Sequence, residues 1–289
     1  MTRALSDIET EAGAPPAPRP RRTRRRGRGV DPIPWWLYVI VLLVGLYFIL
    51  PTLIVIPMSF SSASTFQFPP EGFSLKLYEN FFTNPVWLTS LRNSVLVAVL
   101  SATLATVVGT AAALGLHNLT GRLARFARTV LMISIVTPAI VIAVAVYISF
   151  LKWQLVGTIT GYVLAHAAIA VPFVLVSVTS ALGGFDPKLL RASASLGAPP
   201  HRTFLRVTMP LISRGIVTGA IFAFVTSFDE VVIALFLRSP LFQTLPVQMY
   251  NSVTVEIDPT IAASSSLVVT AVTIICLVLQ FVGSRGKSR

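Results

Sequence analysis

Cysteine is nearly absent: Cys276 is the only one in 289 residues, so no disulfide framework can form within one chain. Charge is scarce as well. Charged side chains make up 12% of the sequence, against roughly 25% in soluble domains, which excludes an ordinary water-soluble fold. Acidic residues are the rarest of these, 11 against 23 Lys and Arg. The three histidines, His117, His166 and His201, lie far apart, and neither HExxH nor CxxC spacing occurs, so no metal site is expected. No nucleophile sits near a base in any recognisable pattern, so bond chemistry is not expected either. The tail "GSRGKS", Gly283–Ser288, has two residues between its glycines where a phosphate loop has four. It is therefore not read as a nucleotide-binding loop.

What is present is apolar. Hydrophobic residues reach 54%, with a mean hydropathy of +0.77, and they come in long runs. A membrane-crossing helix needs about 20 mostly apolar residues. Six stretches qualify: Trp35–Pro57, Leu91–Leu116, Thr129–Leu151, Thr158–Leu182, Ile216–Leu237 and Ile261–Val282. These runs are too long for barrel strands, and lipid leaves the backbone no partner but itself, so helices are expected throughout. The fold class is an all-α integral membrane protein of six transmembrane helices.

The net charge of +12 is not a nucleic-acid signature, because of where it sits. Eight Lys and Arg precede the first apolar run, within an Arg/Pro-rich tail (1–34) expected to be disordered and to lie against anionic membrane lipid. Alternate gaps between spans hold Arg122, Arg125 and Arg128, then Lys188, Arg191, Arg202, Arg206 and Arg214, then a short basic tail (283–289). Only Lys76, Arg92, Lys152 and Arg238 fall on the opposite side. The positive-inside rule then puts both termini in the cytoplasm. Trp35, Trp36, Trp87 and Trp153 fall at span ends, where aromatic rings favour the membrane interface. Two outer segments, between the first two spans and before the last, mix aromatics with Pro and Gly and should form ordered caps. Pro138 and Pro172 should interrupt and kink the third and fourth spans.

The cytoplasmic loop 183–215 is longer than a turn requires. In "FDPKLLRASASLGAPPHRTFLRVTMP", Asp186 can cap a helix, Pro187 suits its first position, and Gly197 suits a left-handed stop. Pro199 and Pro200 restart the chain, and "HRTFLRVTM" reads as a second short helix ending at Pro210. A first helix of about ten residues is marginal in water by itself. Its small face, Ala192, Ser193 and Ala194, would admit another surface closely.

The spacing Arg191-Ala192-Ser193, x3, Gly197, x9, Val207, x, Met209-Pro210 resembles the "EAA" signature of ATP-binding-cassette (ABC) importer permeases, binding-protein-dependent type I (MetI-like). The family pattern is Glu-Ala-Ala, x3, Gly, x9, Ile, x, Leu-Pro, in the cytoplasmic loop two spans from the C-terminus. Gly197, Ala198 and Pro210 are retained; Arg191 reverses the family's glutamate, and Ser193, Val207 and Met209 are milder changes. The resemblance implies a permease domain over 35–282, with its family core at about 90–282, in a bacterial inner membrane. It implies a coupling helix docked on an ATPase dimer, which binds ATP and Mg, so that this chain carries no cofactor. A second permease subunit and an extracytoplasmic solute-binding protein would complete the importer.

"SFDEVVIALFL", "TLPVQMY" and "IDPTIAASSSLVV" are similar, more narrowly, to the second membrane subunit of spermidine/putrescine importers. Opine, phosphonate and amino-acid-derivative importers share much of this pattern. Asp229 and Glu230, within the expected fifth span and about 100° apart on a helix, are the candidate translocation-path residues, since intramembrane carboxylates usually face a bundle interior or an aqueous route. The other reading of the pair is a cap or a bond to the companion subunit. An ion-coupled secondary transporter is the rival class, but it does not require the loop spacing.

Overall fold

The computed structural model describes residues 34–63, 65–70, 72–184, 186 and 188–285, with side chains as far as Ile274. The expectations for residues 1–33 and 286–289, and for Pro187 as a helix start, lie outside these. Helices α1 (Trp35–Ser59), α2 (Lys76–Thr83), α3 (Pro85–Asn118), α4 (Gly121–Val136), α5 (Ala139–Lys152) and α6 (Ile159–Gly183) make up the first part. Then come α7 (Lys188–Ser195), α8 (Pro200–Thr203), a π-helical turn (Phe204–Thr208), α9 (Met209–Phe228), α10 (Val232–Leu237), α11 (Leu245–Thr254) and α12 (Thr260–Arg285). Among the described residues the only strand-like pairings are two isolated bridges, Ser61 with Phe73 and Ser239 with Phe242.

Two compact units are distinguished, one through Leu50 and one from Pro51 onward. The first holds most of α1, an uncharged helix whose large side chains are exposed from Trp35 to Leu50. The second is built on α3, α6 and α9, which pack against one another. Each starts where its sequence signals a start. Asn84 Oδ1 accepts from the Val86 N–H at 2.9 Å with Pro85 at the first position of α3, and Thr158 Oγ1 accepts from the Gly161 N–H at 3.1 Å below α6.

Lipid-embedded helices gain little from burying apolar surface against each other, so close approach of small residues matters more. On α3, Ala102, Ala105, Gly109 and Ala113 recur at helical spacing and are buried. A Cβ at Gly109 would meet Val174 Cβ at 2.7 Å, and one at Gly219 would meet Val174 Cα at 2.9 Å. Val174 is thus gripped from both neighbours. A second cluster joins α5, α6 and α10 through Phe150, Tyr162, Ile233 and Leu237.

Among the described residues four helices are long and apolar enough to cross a bilayer, Trp35–Ser59, Pro85–Asn118, Ile159–Gly183 and Pro200–Phe228, or five if the bent pair Gly121–Val136 and Ala139–Lys152 counts as one span. The expected third span is not one rod. It is split into α4 and α5, bent by 105° at Thr137–Pro138. Pro138 has no N–H to continue the ladder and holds Thr137 extended, at φ −75° and ψ 132°. Pro172, by contrast, does not interrupt its helix, since α6 is continuous from Ile159 to Gly183. The expected fifth span is displaced: its helix begins at Pro200 and stops at Phe228, short of Leu237. The described apolar part of α12 covers Thr260–Ile274.

Among the described residues of the two segments expected outside, side-chain contacts tie the helices together, and one tryptophan expectation fails there. Trp87 is fully buried, whereas Trp35, Trp36 and Trp153 are exposed. The Trp87 ring packs against Phe81 and its Nε1–H donates to Asp258 Oδ2 at 3.0 Å. Asp258 Oδ1 accepts the Thr260 N–H at 2.9 Å, so one carboxylate caps α12 and anchors α3. A nearby clamp, Asn80 Nδ2 to Thr260 Oγ1 at 2.7 Å, ties α2 to the same corner.

Candidate functional site

Two regions carry the residues singled out in the sequence. The first is the loop around α7. Asp186 Oδ1 accepts the Lys188 N–H at 2.9 Å, capping the helix as its position suggests. Gly197 closes it in the left-handed region, φ +72°. The Gly197 N–H donates to Ala194 O at 2.9 Å and the Ala198 N–H to Ser193 O at 3.2 Å, the paired bonds of a Schellman motif. None of α7 is buried, and Leu196 is 87% exposed at the end of it. Arg191, Ala192 and Gly197 are exposed too.

The remaining motif residues divide by environment. Ser193, standing where the family has its second alanine, is turned inward: its Oγ shares a 2.7 Å bond with Thr203 Oγ1 and so ties α7 to α8. Ala198, Val207 and Met209 are half-buried, Met209 against the α3–α6–α9 core, and Pro210 is exposed. No free second helix exists here. The chain runs from α8 through the π turn directly into α9, with the Met209 N–H reaching back to Phe204 O. The physical cause is the next residue: Pro210 offers no N–H and crowds the carbonyl of Arg206, so the preceding turn widens. From Pro200 to Phe228 the chain is therefore one helix, and α7 joins it across the Gly197 stop and the Ser193–Thr203 bond.

The second region is the far end of α9. Asp229 and Glu230 do not lie within a helix, so the 100° separation does not apply; they form the corner between α9 and α10. The Asp229 N–H closes α9 on Val225 O at 3.0 Å, while its side chain is exposed. Glu230 is half-buried and its Oε1 accepts the Ile233 N–H at 2.8 Å, at the first turn of α10. One carboxylate is committed to capping and the other is exposed. A carboxylate at a helix C-terminus is disfavoured by the helix dipole.

The corner is held by residues not singled out as site candidates from sequence. His166, fully buried on α6, places Nδ1 3.0 Å from Ser227 Oγ and 3.1 Å from Ser227 O. Tyr162 donates its O–H to Ala234 O at 3.1 Å, and the Gly157 N–H donates to Leu237 O at 3.0 Å. The only advance signal was the placement of polar His166 and Tyr162 in an apolar run. Beyond α10, Arg238 Nη1 donates to Asn251 Oδ1 at 2.7 Å, and Gln243 Nε2 to Gln248 Oε1 at 2.8 Å, within a polar network. Among the described residues no cluster of His, Cys, Asp or Glu can hold a metal.

Comparison with known proteins fits this architecture. Residues 105–285 match the family described as binding-protein-dependent transport system inner membrane component. The spermidine/putrescine transport system permease protein PotC of Escherichia coli (strain K12) is 30% identical over 246 residues, 84% of this chain and 91% of its own length. The putrescine transport system permease protein PotI of the same strain is 28% identical over 265 residues, 89% and 93% of the two chains. The molybdenum transport system permease protein ModB of Mycobacterium bovis is 31% identical over 220 residues, 70% and 81%. A crystal structure of a bacterial ABC transporter that imports the acidic polysaccharide alginate shares the fold, with a TM-score of 0.68 at 14% identity, covering 88% of this chain and 96% of that one. The chain belongs to the binding-protein-dependent transport system inner membrane component family: it is a MetI-like permease subunit of an ABC importer, without catalytic chemistry of its own.

Proposed function

We propose that this permease serves an importer of polyamines, forming half of the translocation route beside a second, homologous permease. The observation that carries the reading is the likeness to PotC along 84% of the chain, joined to an exposed carboxylate at Asp229. A polyamine is an extended polycation, and an exposed carboxylate in a helix break offers it a charge-assisted contact without bonds to give up. Glu230 then has a structural role at α10. In this reading the loop 183–215 lies in the cytoplasm with both termini, and α7 docks on an ATP-binding subunit that supplies ATP and Mg. ATP-driven closure of that subunit presses α7, and the continuous α8–α9 rod carries the displacement to the Asp229 corner. A soluble binding protein delivers the cargo from outside. The ModB likeness marks the alternative, the same machinery with a different solute.

Uptake of labelled spermidine by cells carrying the Asp229→Asn variant tests the reading. A hydrogen bond to a charged partner contributes about 1.5–3 kcal/mol, so uptake should fall by at least about tenfold, with normal amounts of protein in the membrane. Wild-type uptake in Asp229→Asn, or competition by anionic solutes but not by polyamines, would remove polyamines from the account.

A further inference from the structure

Residues 80–185 contain no aspartate or glutamate. Within that stretch, the first two turns of α4 carry Arg122, Arg125 and Arg128, all exposed. No acidic residue occupies the first turn of α4 to offset the positive end of its dipole. At about 100° per residue the three arginines share one face, and Thr129, Met132 and Val136 continue that same face toward the elbow. A concavity of about 400 Å³ lies there, against Arg128, Thr129, Met132, Ile133 and Val136. The core-facing side of α4 is different: Ala127 and Leu131 pack on the α3–α6–α9 cluster, and Met132, at the border, touches both that cluster and the concavity. A third side is apolar and open, with Leu123 and Phe126 65% and 67% exposed. The helix thus shows cations at one end of a face and an apolar furrow at the other.

That pattern matches an anion with a hydrocarbon tail. We propose that this face of α4 binds an anionic phospholipid, its phosphate among Arg122, Arg125 and Arg128 and an acyl chain along Met132 and Val136. Arg122 and Arg128 are separated by a rise of about 9 Å, so a single phosphate is reached by two guanidinium forks at a time, each able to bind it in bidentate fashion. Inorganic phosphate would satisfy only the cationic end. The furrow selects the lipid.

The test uses the full importer complex, exchanged into nanodiscs of phosphatidylcholine with graded phosphatidylglycerol, and reads retained lipid by native mass spectrometry. Each arginine near an anionic surface is worth about fivefold in binding. Wild type should therefore retain phosphatidylglycerol over phosphatidylcholine by more than about tenfold, and Arg122→Gln/Arg125→Gln/Arg128→Gln should bring the ratio close to parity. The triple Arg→Lys variant, the control for folding, should keep most of the preference. Val136→Trp, at an exposed residue lining the concavity, fills the furrow and spares the arginines, and should weaken retention by itself. Equal preference in wild type and the triple Gln variant would overturn the proposal. So would full displacement of the lipid by excess inorganic phosphate, or shielding of Arg125→Cys from a lipid-phase quencher by a neighbouring subunit.

Discussion

Substituting Gly215 tests whether α9 and α6 are as close as the coupling route requires. A Cβ at this position would lie 2.6 Å from Ala181 Cβ and 2.9 Å from the Ser177 carbonyl oxygen. Carbon contacts are favourable near 3.5–4.0 Å, so Gly215→Ala forces the two helices about 1 Å apart. Overpacking of that kind costs about 1–3 kcal/mol, against about 1 kcal/mol gained from the better helix propensity of alanine. Gly115 on α3 supplies the matched control, because nothing lies within 4 Å of its added Cβ. There the propensity gain stands alone. With about 2–4 °C of Tm per kcal/mol for a chain near this size, Gly115→Ala should melt a few degrees higher and Gly215→Ala lower. Thermal unfolding of the purified permease in one detergent, followed by loss of the monodisperse peak, measures both. Equal shifts of the same sign would refute the close approach, and with it a rigid α6–α9 pair as the transmitting element.

Other outcomes follow from single contacts. Gly197→Val, which places a β-branched residue at φ +72°, should disrupt the loop at a cost of about 1–2 kcal/mol and lower ATP-driven uptake, while Gly197→Asn stays near wild type. Trp87→Phe removes the donor to Asp258 and should lower Tm by an amount equivalent to about 1.5–3 kcal/mol, read in the same unfolding assay. Glu230→Ala should destabilise by about 1 kcal/mol, whereas Glu230→Gln, which keeps an acceptor for the Ile233 N–H, should leave both Tm and uptake close to wild type.

Signals that act within a few residues were legible in the sequence. Asp186 as a cap, Gly197 as a left-handed stop and the start at Thr158 are local devices, and they stand where composition puts them, whereas α3 starts at Pro85, ahead of the expected Leu91. The family followed from a short loop pattern for the same reason, since spacing survives when individual residues drift. Signals that depend on distant partners were not legible. The break at Asp229–Glu230 contains no proline or glycine; it exists because Ser227, Ala234 and Leu237 are bonded by His166, Tyr162 and Gly157 from far along the chain. Trp87 read as an interface residue because its partner, Asp258, lies 171 positions away. Pro138 and Pro172 look alike in sequence, yet only Pro138 breaks its helix. Pro172 is buried among tightly packed neighbours on α6, whereas α4, on one side of the elbow, has no buried residue.

The account rests on α7 as the point where an external ATPase acts. In a chain with Cys276→Ser, a cysteine placed by Leu196→Cys at the exposed tip should cross-link to the ATP-binding subunit in the reconstituted complex, and ATP should change the yield. Absence of any such adduct, together with substrate accumulation by liposomes that hold no ATPase, would contradict it.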